Sequence, residues 1–249
     1  MTNKQLIIKE FRRIKKLGFV KSRRRSNTGI GKTFEDYIGV EENNIDKPDF
    51  AGYEIKAHRE ISSSYVTLFT KAPSFPKGAN TYLKDTYGTP YENNTKLKRI
   101  HTSLFATQAN SYENKYAFKL INDRQEKKLY IGVYSLKSKK LIDISCGYTY
   151  KDLKKVLNRK LKSLFYVVAD TKTDSKGKES FHFTKAYIYE NPSFTKFLNM
   201  IDKGLIMYDI RIGSYKTGKN LGKTHDHGSG FRILEKNLKK LYSTSESVE

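Results

Sequence analysis

The sequence predicts a mixed α/β fold, an α+β arrangement of helices against a mixed sheet, and three features carry that prediction. Leu164-Phe165-Tyr166-Val167-Val168-Ala169 is an unbroken apolar run, the signature of a strand buried on both faces. Amphipathic helical patterns stand on either side of a β-rich middle, at residues 4–17 and 150–163. The 18 Tyr and 14 Phe favour folded β structure over a disordered basic chain. With 249 residues the chain suits one large domain or two lobes and can bury a real core.

Taken in order, Ile7, Phe11, Ile14 and Leu17 recur at helical spacing, and Gly18 ends the first helix. Its charges are Lys and Arg apart from Glu10. Arg23-Arg24-Arg25 leads into Ser26-Asn27-Thr28-Gly29. Three arginines beside a glycine turn suit a grip on phosphates or a minor groove, and equally a solvated charge run. Gly29-Ile30-Gly31-Lys32-Thr33 is not a nucleotide-binding loop. Ser26 occupies the position where that pattern requires glycine, and no buried strand precedes it. The stretch reads as a flexible lead-in to a short helix from Thr33 to Val40. Glu35 and Asp36 then lie in its first turn, where the helix dipole favours carboxylates. Glu35 has the alternative of facing the next segment and holding a metal-bound water.

That segment, Pro48-Asp49-Phe50-Ala51-Gly52-Tyr53-Glu54-Ile55-Lys56, reads as two extended pieces folded about Ala51-Gly52. Strand alternation projects Glu54 and Lys56 together and turns Ile55 into the core. Asp49 meets them across the turn. Two carboxylates and an ammonium in one small volume can hold a hard divalent cation and a water beside a phosphodiester. An ordinary charged hairpin face is the alternative. His58 shares the face of Lys56 and suits a phosphate or structural contact.

Tyr65–Thr70 is the third strand. Residues 80–114 are polar and weakly patterned, with Leu97, Ile100, Leu104 and Phe105 suggesting a helix over 96–108. A meander follows over 115–146, with strands at Tyr116–Ile121, Leu129–Leu136 and Leu141–Ser145. The helix Tyr150–Ser163 precedes the buried strand. A return strand spans Phe181–Tyr189, followed by a helix over Ser193–Asp202 and a strand over Leu205–Ile212.

Lys+Arg 48 against Asp+Glu 26 gives a net charge of +22, a field that favours a polyanion, with nucleic acid as the default partner. Anionic membrane is the competing reading and would need an amphipathic basic helix or an apolar anchor; the N-terminus offers neither a signal segment nor a membrane-length apolar run. Cys146 is the sole cysteine, so no intrachain disulfide or thiolate zinc site forms, which fits a reducing compartment.

The remaining informative stretch runs from Asp209-Ile210-Arg211 to His225-Asp226-His227-Gly228-Ser229-Gly230-Phe231-Arg232. Three readings stand: metal ligation by His225 and His227, a structural turn, or a base-reading loop. Arg or protonated His can donate to guanine, and a carboxylate can accept from cytosine N4. The Asp/Arg pairs 209/211 and 226/232 suit reading G·C pairs from the major groove.

Gly31-Lys32-Thr33-Phe34-Glu35-Asp36-Tyr37, the segment from Pro48 to Lys56, and Thr67-Leu68-Phe69-Thr70 together resemble the catalytic core of the PD-(D/E)XK nucleases. Within these they resemble the branch holding the MvaI/BcnI restriction endonucleases and the MutH mismatch-repair nickases. The core resemblance spans about residues 29–72 and is looser over the C-terminal half.

It implies a type II restriction endonuclease with a PD-(D/E)XK core and a second DNA-recognition lobe. Asp49, Glu54 and Glu35 would bind Mg²⁺, and Lys56 would complete the catalytic set. DNA contact would fall to Arg23, Arg24, Arg25, Asp209, Arg211, His225, Asp226, His227 and Arg232. The enzyme would act on double-stranded DNA as a monomer, cutting one strand at a time at a short G·C-flanked site. That site would be CC(A/T)GG, or one with a central C or G on the BcnI side. A cytoplasmic prokaryotic setting with a cognate DNA methyltransferase and no membrane association follows. The expected division is a catalytic lobe over 1–190 and a recognition lobe over 191–249. The catalytic lobe would have its core at about 29–72 plus 149–190 and an inserted meander at 109–148. The competing functions are a partner-activated strand-nicking repair endonuclease and a non-catalytic basic nucleic-acid-binding module. Clustered carboxylates on a basic surface argue against the second, because they repel phosphates unless a cation bridges them.

Overall fold

A computed structural model describes residues 1–25, 28–40, 49–60 and 65–248. Ser26, Asn27 and Pro48 of the segments singled out above lie outside the described residues. In chain order the elements begin α1 (Asn3–Lys15), β1 (Val20–Lys21), α2 (Gly29–Tyr37), β2 (Glu54–Arg59) and β3 (Tyr65–Thr70). Then come α3 (Ala79–Tyr87), β4 (Thr89–Tyr91), β5 (Asn94–Leu104), β6 (Asn110–Tyr112), β7 (Tyr116–Asp123), β8 (Lys128–Ser135) and β9 (Leu141–Thr149). The remainder is α4 (Tyr150–Leu161), β10 (Ser163–Thr173), β11 (Glu179–Pro192), α5 (Phe194–Asp202), β12 (Ile206–Ser214), β13 (Thr224–Asp226), β14 (Gly230–Leu234), α6 (Glu235–Leu238) and β15 (Tyr242–Val248). Among the described residues no helix is long and apolar enough to cross a membrane.

The chain forms two compact units. One comprises Met1–Ser64, Leu157–Ser193 and Leu238–Glu249, the other Tyr65–Val156 and Phe194–Asn237. This partition differs from the single boundary at 190/191. Sheet pairing is the reason: β15 returns to β11 through Ala186↔Val248 to Pro192↔Tyr242, while β3 joins β14 through Thr70↔Gly230 to Tyr65↔Leu234. The third strand of the expected core therefore belongs to the second unit's sheet, and β2 has β10 as its neighbour.

In the first unit the sheet order is β1-β11-β10-β2, with β15 also on β11. The apolar run predicted as a doubly buried strand is β10. It pairs antiparallel with β11 and parallel with β2, aligning Leu164 with Glu54, Phe165 with Ile55 and Tyr166 with Lys56. Alternation gives the sheet two distinct faces. Ile55, Phe165, Val167, Ala169, Ala186 and Ile188 point to α1 and α2, where they meet Ile7, Phe11, Ile14, Ile30 and Phe34 in one core. Phe165 is fully buried there, against the rings of Phe11, Phe34 and Tyr53 at 6.0, 6.3 and 6.5 Å. Glu54, Lys56, Tyr166, Tyr187 and Tyr189 share the opposite face by register.

The helix α2 begins four residues earlier than the expected start at Thr33. Gly29 permits this, since a Cβ there would sit 2.4 Å from the Arg24 carbonyl oxygen. Thr33 is buried in mid-helix; its hydroxyl donates to the Gly29 carbonyl and accepts from the Arg23 amide. Glu35 and Asp36 consequently sit near the helix C-terminus, where the dipole opposes them. Asp36 is compensated by Lys32 one turn back, at 2.6 Å.

The second unit contains a six-stranded sheet, β3-β14-β12-β5-β4 with β13 on β12, and the meander β6-β7-β8-β9. The helix expected over 96–108 is the strand β5, lodged between β12 and β4. Ile100, Thr102 and Leu104 alternate inward there, so β-branched residues and sheet pairing override a spacing that also fits a helix. A helix does occur in the weakly patterned region, as α3. Cys146 is buried in the meander, and burial pushes its thiol up to about 11, consistent with a purely structural residue.

Truncating Phe165 to Ala should destabilise the first unit by about 3–5 kcal/mol, because the surrounding rings cannot close the void. Urea unfolding followed by near-ultraviolet circular dichroism measures this; a loss under 1 kcal/mol, roughly, would contradict the packing described.

Candidate functional site

The segment from Asp49 to Lys56 forms a tight hairpin. Phe50 and Tyr53 exchange backbone hydrogen bonds of 3.1 and 2.8 Å, and both turn residues, Ala51 and Gly52, have positive φ (49° and 79°). That is the two-residue turn whose twist matches paired strands. Tyr53 is buried against Phe165 and anchors the hairpin to the core. The edge strand β2 would leave the Ile55 amide unpaired; Asp49 Oδ2 accepts it at 2.7 Å. One oxygen of Asp49 is thereby fixed beside Glu54. Lys56 Nζ lies 3.3 Å from Glu54 Oε1, and both side chains are largely shielded. The Tyr242 hydroxyl is held far above its ordinary range by burial, then by Tyr189 and by the Glu54 charge, which places a buried phenol in the electrostatic reach of that carboxylate. His58 Nδ1 contacts the Arg59 carbonyl at 3.0 Å.

Asp49, Glu54 and Lys56 are thus assembled on one short element. Glu35 sits on α2, which packs over β2 through Ile30 and Phe34. Among the described residues no three His, Cys, Asp or Glu side chains converge on one cation position. Glu35 does not make a three-carboxylate cage with Asp49 and Glu54.

In the second unit a polar sheet face is built by register. Asp209, Arg211 and Gly213 alternate along β12 with the buried Ile210 and Ile212. Ser103 and His101 of β5 lie opposite Asp209 and Arg211, His225 of β13 opposite Gly213, and Arg232 of β14 opposite Met207. Asp209, 10% exposed, is the hub. It accepts from Ser103 Oγ at 2.9 Å and from Arg211 Nε at 2.6 Å, and it pairs with Arg232 Nε at 2.9 Å. The two arginines differ sharply. Arg232 is 12% exposed and also donates to Thr67 Oγ1 and the Gly228 carbonyl, whereas Arg211 is 49% exposed. Burial, then the neighbouring Arg211, lowers the Arg232 guanidinium below its usual value, and Asp209 offsets this.

Asp226 takes the structural role. Its Oδ1 accepts from the Gly228 and Ser229 amides and its Oδ2 from Asn80 Nδ2, so it shapes the turn. It does not form the pair with Arg232 that spacing suggested; Asp209 holds both arginines. His225 stacks on Tyr215 at 4.2 Å and meets His227 at 4.1 Å, while His101 faces His227 at 6.2 Å. Burial, then the neighbouring His227, lowers His101; burial, then His225, lowers His227. Burial thus favours the neutral form of the His101 and His227 rings, which has one donor and one acceptor. Gly213 lies beneath them, and a Cβ there, 2.5 Å from Tyr91 Oη and 3.1 Å from His227 Nε2, would push these side-chain ends aside. Arg23, Arg24 and Arg25 are exposed in the first unit, with Arg23 over the Tyr37 ring at 5.3 Å.

Sequence reasoning missed His101 and Ser103, because their segment was assigned to a helix. The available signal was the inward alternation of Ile100, Thr102 and Leu104, which leaves residues 101 and 103 together on the other face.

The family model for the MvaI/BcnI restriction endonuclease family matches residues 8–242. The chain belongs to that family. Among solved structures, the complex of the restriction endonuclease MvaI with cognate DNA is similar at 33% identity, with 98% of each chain covered and a TM-score of 0.89. MvaI in the absence of DNA is similar at 33% identity, covering 100% of this chain and 98% of that one, with a TM-score of 0.66. No curated protein matches. Family membership bears out the resemblance stated from the sequence, the restriction-endonuclease-like fold and the enzyme class: the chain is a restriction endonuclease, a site-specific hydrolase of DNA.

In this restriction endonuclease Asp209→Ala should destabilise the second unit by about 3–5 kcal/mol, because it strands the buried Arg232 charge. Arg211→Ala should cost no more than about 1 kcal/mol, as its head is half in solvent. Equal thermal or urea midpoints for the two variants would overturn this ranking.

Proposed function

We propose that this chain hydrolyses double-stranded DNA at a short G·C-flanked site, CC(A/T)GG, with Mg²⁺, as a monomer that cuts one strand per binding event. The observation that carries the catalytic part is the hairpin itself: Asp49 and Glu54 straddle a two-residue turn with Lys56 beside them. The donor set fits Mg²⁺. Two carboxylates supply hard oxygens, and Mg²⁺ ordinarily takes one or two carboxylates and completes its shell with water and phosphate. Each carboxylate is oriented through one oxygen, Asp49 by the Ile55 amide and Glu54 by Lys56, leaving Oδ1 and Oε2 as the donors. When bound, the cation supplies Lewis-acid polarisation of the scissile phosphate.

The chain's own groups do the rest. Lys56 orients the attacking water and offsets negative charge growing on the phosphoryl oxygens. Glu35 acts from α2 through water as an outer positioning group. The buried face beneath β2 keeps these side chains from turning away, because Ile55 is locked into the core. Specific recognition rests on Arg211, with His225 and His227 beside it, and Asp209 fixes the guanidinium plane for guanine. Arg232 and Asp226 support that reading surface from below. Arg23, Arg24 and Arg25 hold backbone phosphate.

Asp49→Ala and Glu54→Ala should each reduce cleavage by about 10³-fold or more while specific binding persists. Incubating plasmid with purified protein and Mg²⁺ and sequencing the ends tests both activity and site. Parental-rate cleavage by either variant would overturn the metal assignment, and nicking without double-strand breaks would favour a repair-type nickase. Arg211→Ala should cost about 1–3 kcal/mol of cognate affinity and little on random duplex. Replacing Arg23 to Arg25 should weaken both equally and flatten the salt dependence. Equal losses for Arg211→Ala on both duplexes would remove it from the base-reading set.

A further inference from the structure

The strand carrying Arg211 continues past Gly213 into a hairpin, residues 215–223, that the reading above leaves without a role. It is rigid. Tyr215 and the far limb are joined by Tyr215 N to Lys223 O and Gly222 N to Tyr215 O, both 2.9 Å, and the tip is closed by Leu221 N to Gly218 O and Lys223 N to Asn220 O. Its base is clamped by the stack of Tyr215 on His225.

Lys216, Lys219 and Lys223 are exposed, and among the described residues none pairs with a carboxylate. Lys216 Nζ lies 4.5 Å over the Tyr91 ring, and Lys223 Nζ donates to Asn220 Oδ1. Leu221, between Lys219 and Lys223, is 58% exposed. A stiff loop that holds out three uncompensated ammonium groups around a bare leucine fits the outside of a duplex. Phosphates alternate there with apolar sugar edges. The hairpin lies beyond the Ser214–Thr224 pair, at the end of the strand that carries Arg211.

We propose that this hairpin grips the duplex just outside the base pairs being read. Lys216, Lys219 and Lys223 hold phosphates, and Leu221 lies against the sugars between them. The inference rests on the DNA-binding reading above and extends it to flanking sequence that carries no base information.

The test compares the full-length parent, a Lys216→Gln/Lys219→Gln/Lys223→Gln variant and Leu221→Ser, without Mg²⁺, across a salt series. Two cognate duplexes serve as probes, one with long flanks and one trimmed close to the site. On the long duplex the lysine variant should bind more weakly, its salt slope shallower by roughly 0.9 per lysine lost. On the trimmed duplex it should match the parent. Leu221→Ser should weaken long-duplex binding several-fold with the parental slope. Matching thermal midpoints for all three proteins exclude misfolding as the source of a loss. Parental slope and affinity for the lysine variant on the long duplex would overturn the proposal, and so would the same loss on both duplexes. If the parent bound neither duplex, the DNA reading itself would fall.

Discussion

The parallel pairing of β2 with β10 is the constraint on which the first unit and its charged hairpin depend. β10 is apolar along both faces and anchors the middle of its sheet, so β2 must present Ile55 to the core or leave a void beside Phe165. Once Ile55 points in, Glu54 and Lys56 point out on the same side. The charged pair is therefore positioned by an apolar contact between them, and Asp49 is brought to it by backbone bonds across the turn. Little conformational entropy remains to be removed when substrate arrives, which is the condition for electrostatic groups to act without reorganising.

The second unit solves a different problem, holding like charges together on a partly dry surface. Asp209 pairs with two guanidinium groups and accepts a hydroxyl hydrogen bond besides. A buried arginine without that carboxylate would be costly. The arrangement lets one arginine be fixed inside while the other keeps its terminal nitrogens in solvent.

Much of this was legible in the sequence where a periodicity has one interpretation. The α4 face and the meander each have a single period, the β10 run is short and rich in β-branched and aromatic residues, and the Ala51-Gly52 turn has its own chemistry. Leu97, Ile100 and Leu104 suit a helix as well as a strand, and only pairing with β12 decides. The start of α2 was hidden because Gly29 is a poor helix former chosen for contact with the Arg24 carbonyl, a tertiary reason. Arg232 and Asp226 were expected to pair with one another and read bases, but spacing cannot tell a buried side chain from an exposed one. That distinction is one of burial, and Thr67 and Asn80, which help make it, come from distant segments.

The turn between Phe50 and Tyr53 also sets a rule of length. Asp49 caps Ile55 only because two residues, both with positive φ, close the gap. One extra residue between Asp49 and Glu54 would leave Ile55 held in the core, with Glu54 and Lys56 on the other face, but would carry Asp49 away from the Ile55 amide. Sequence elsewhere on the surface is free to lengthen or shorten, while this stretch can change composition only within a fixed count. Gene families drifting under such a rule should show insertions piling up everywhere except here.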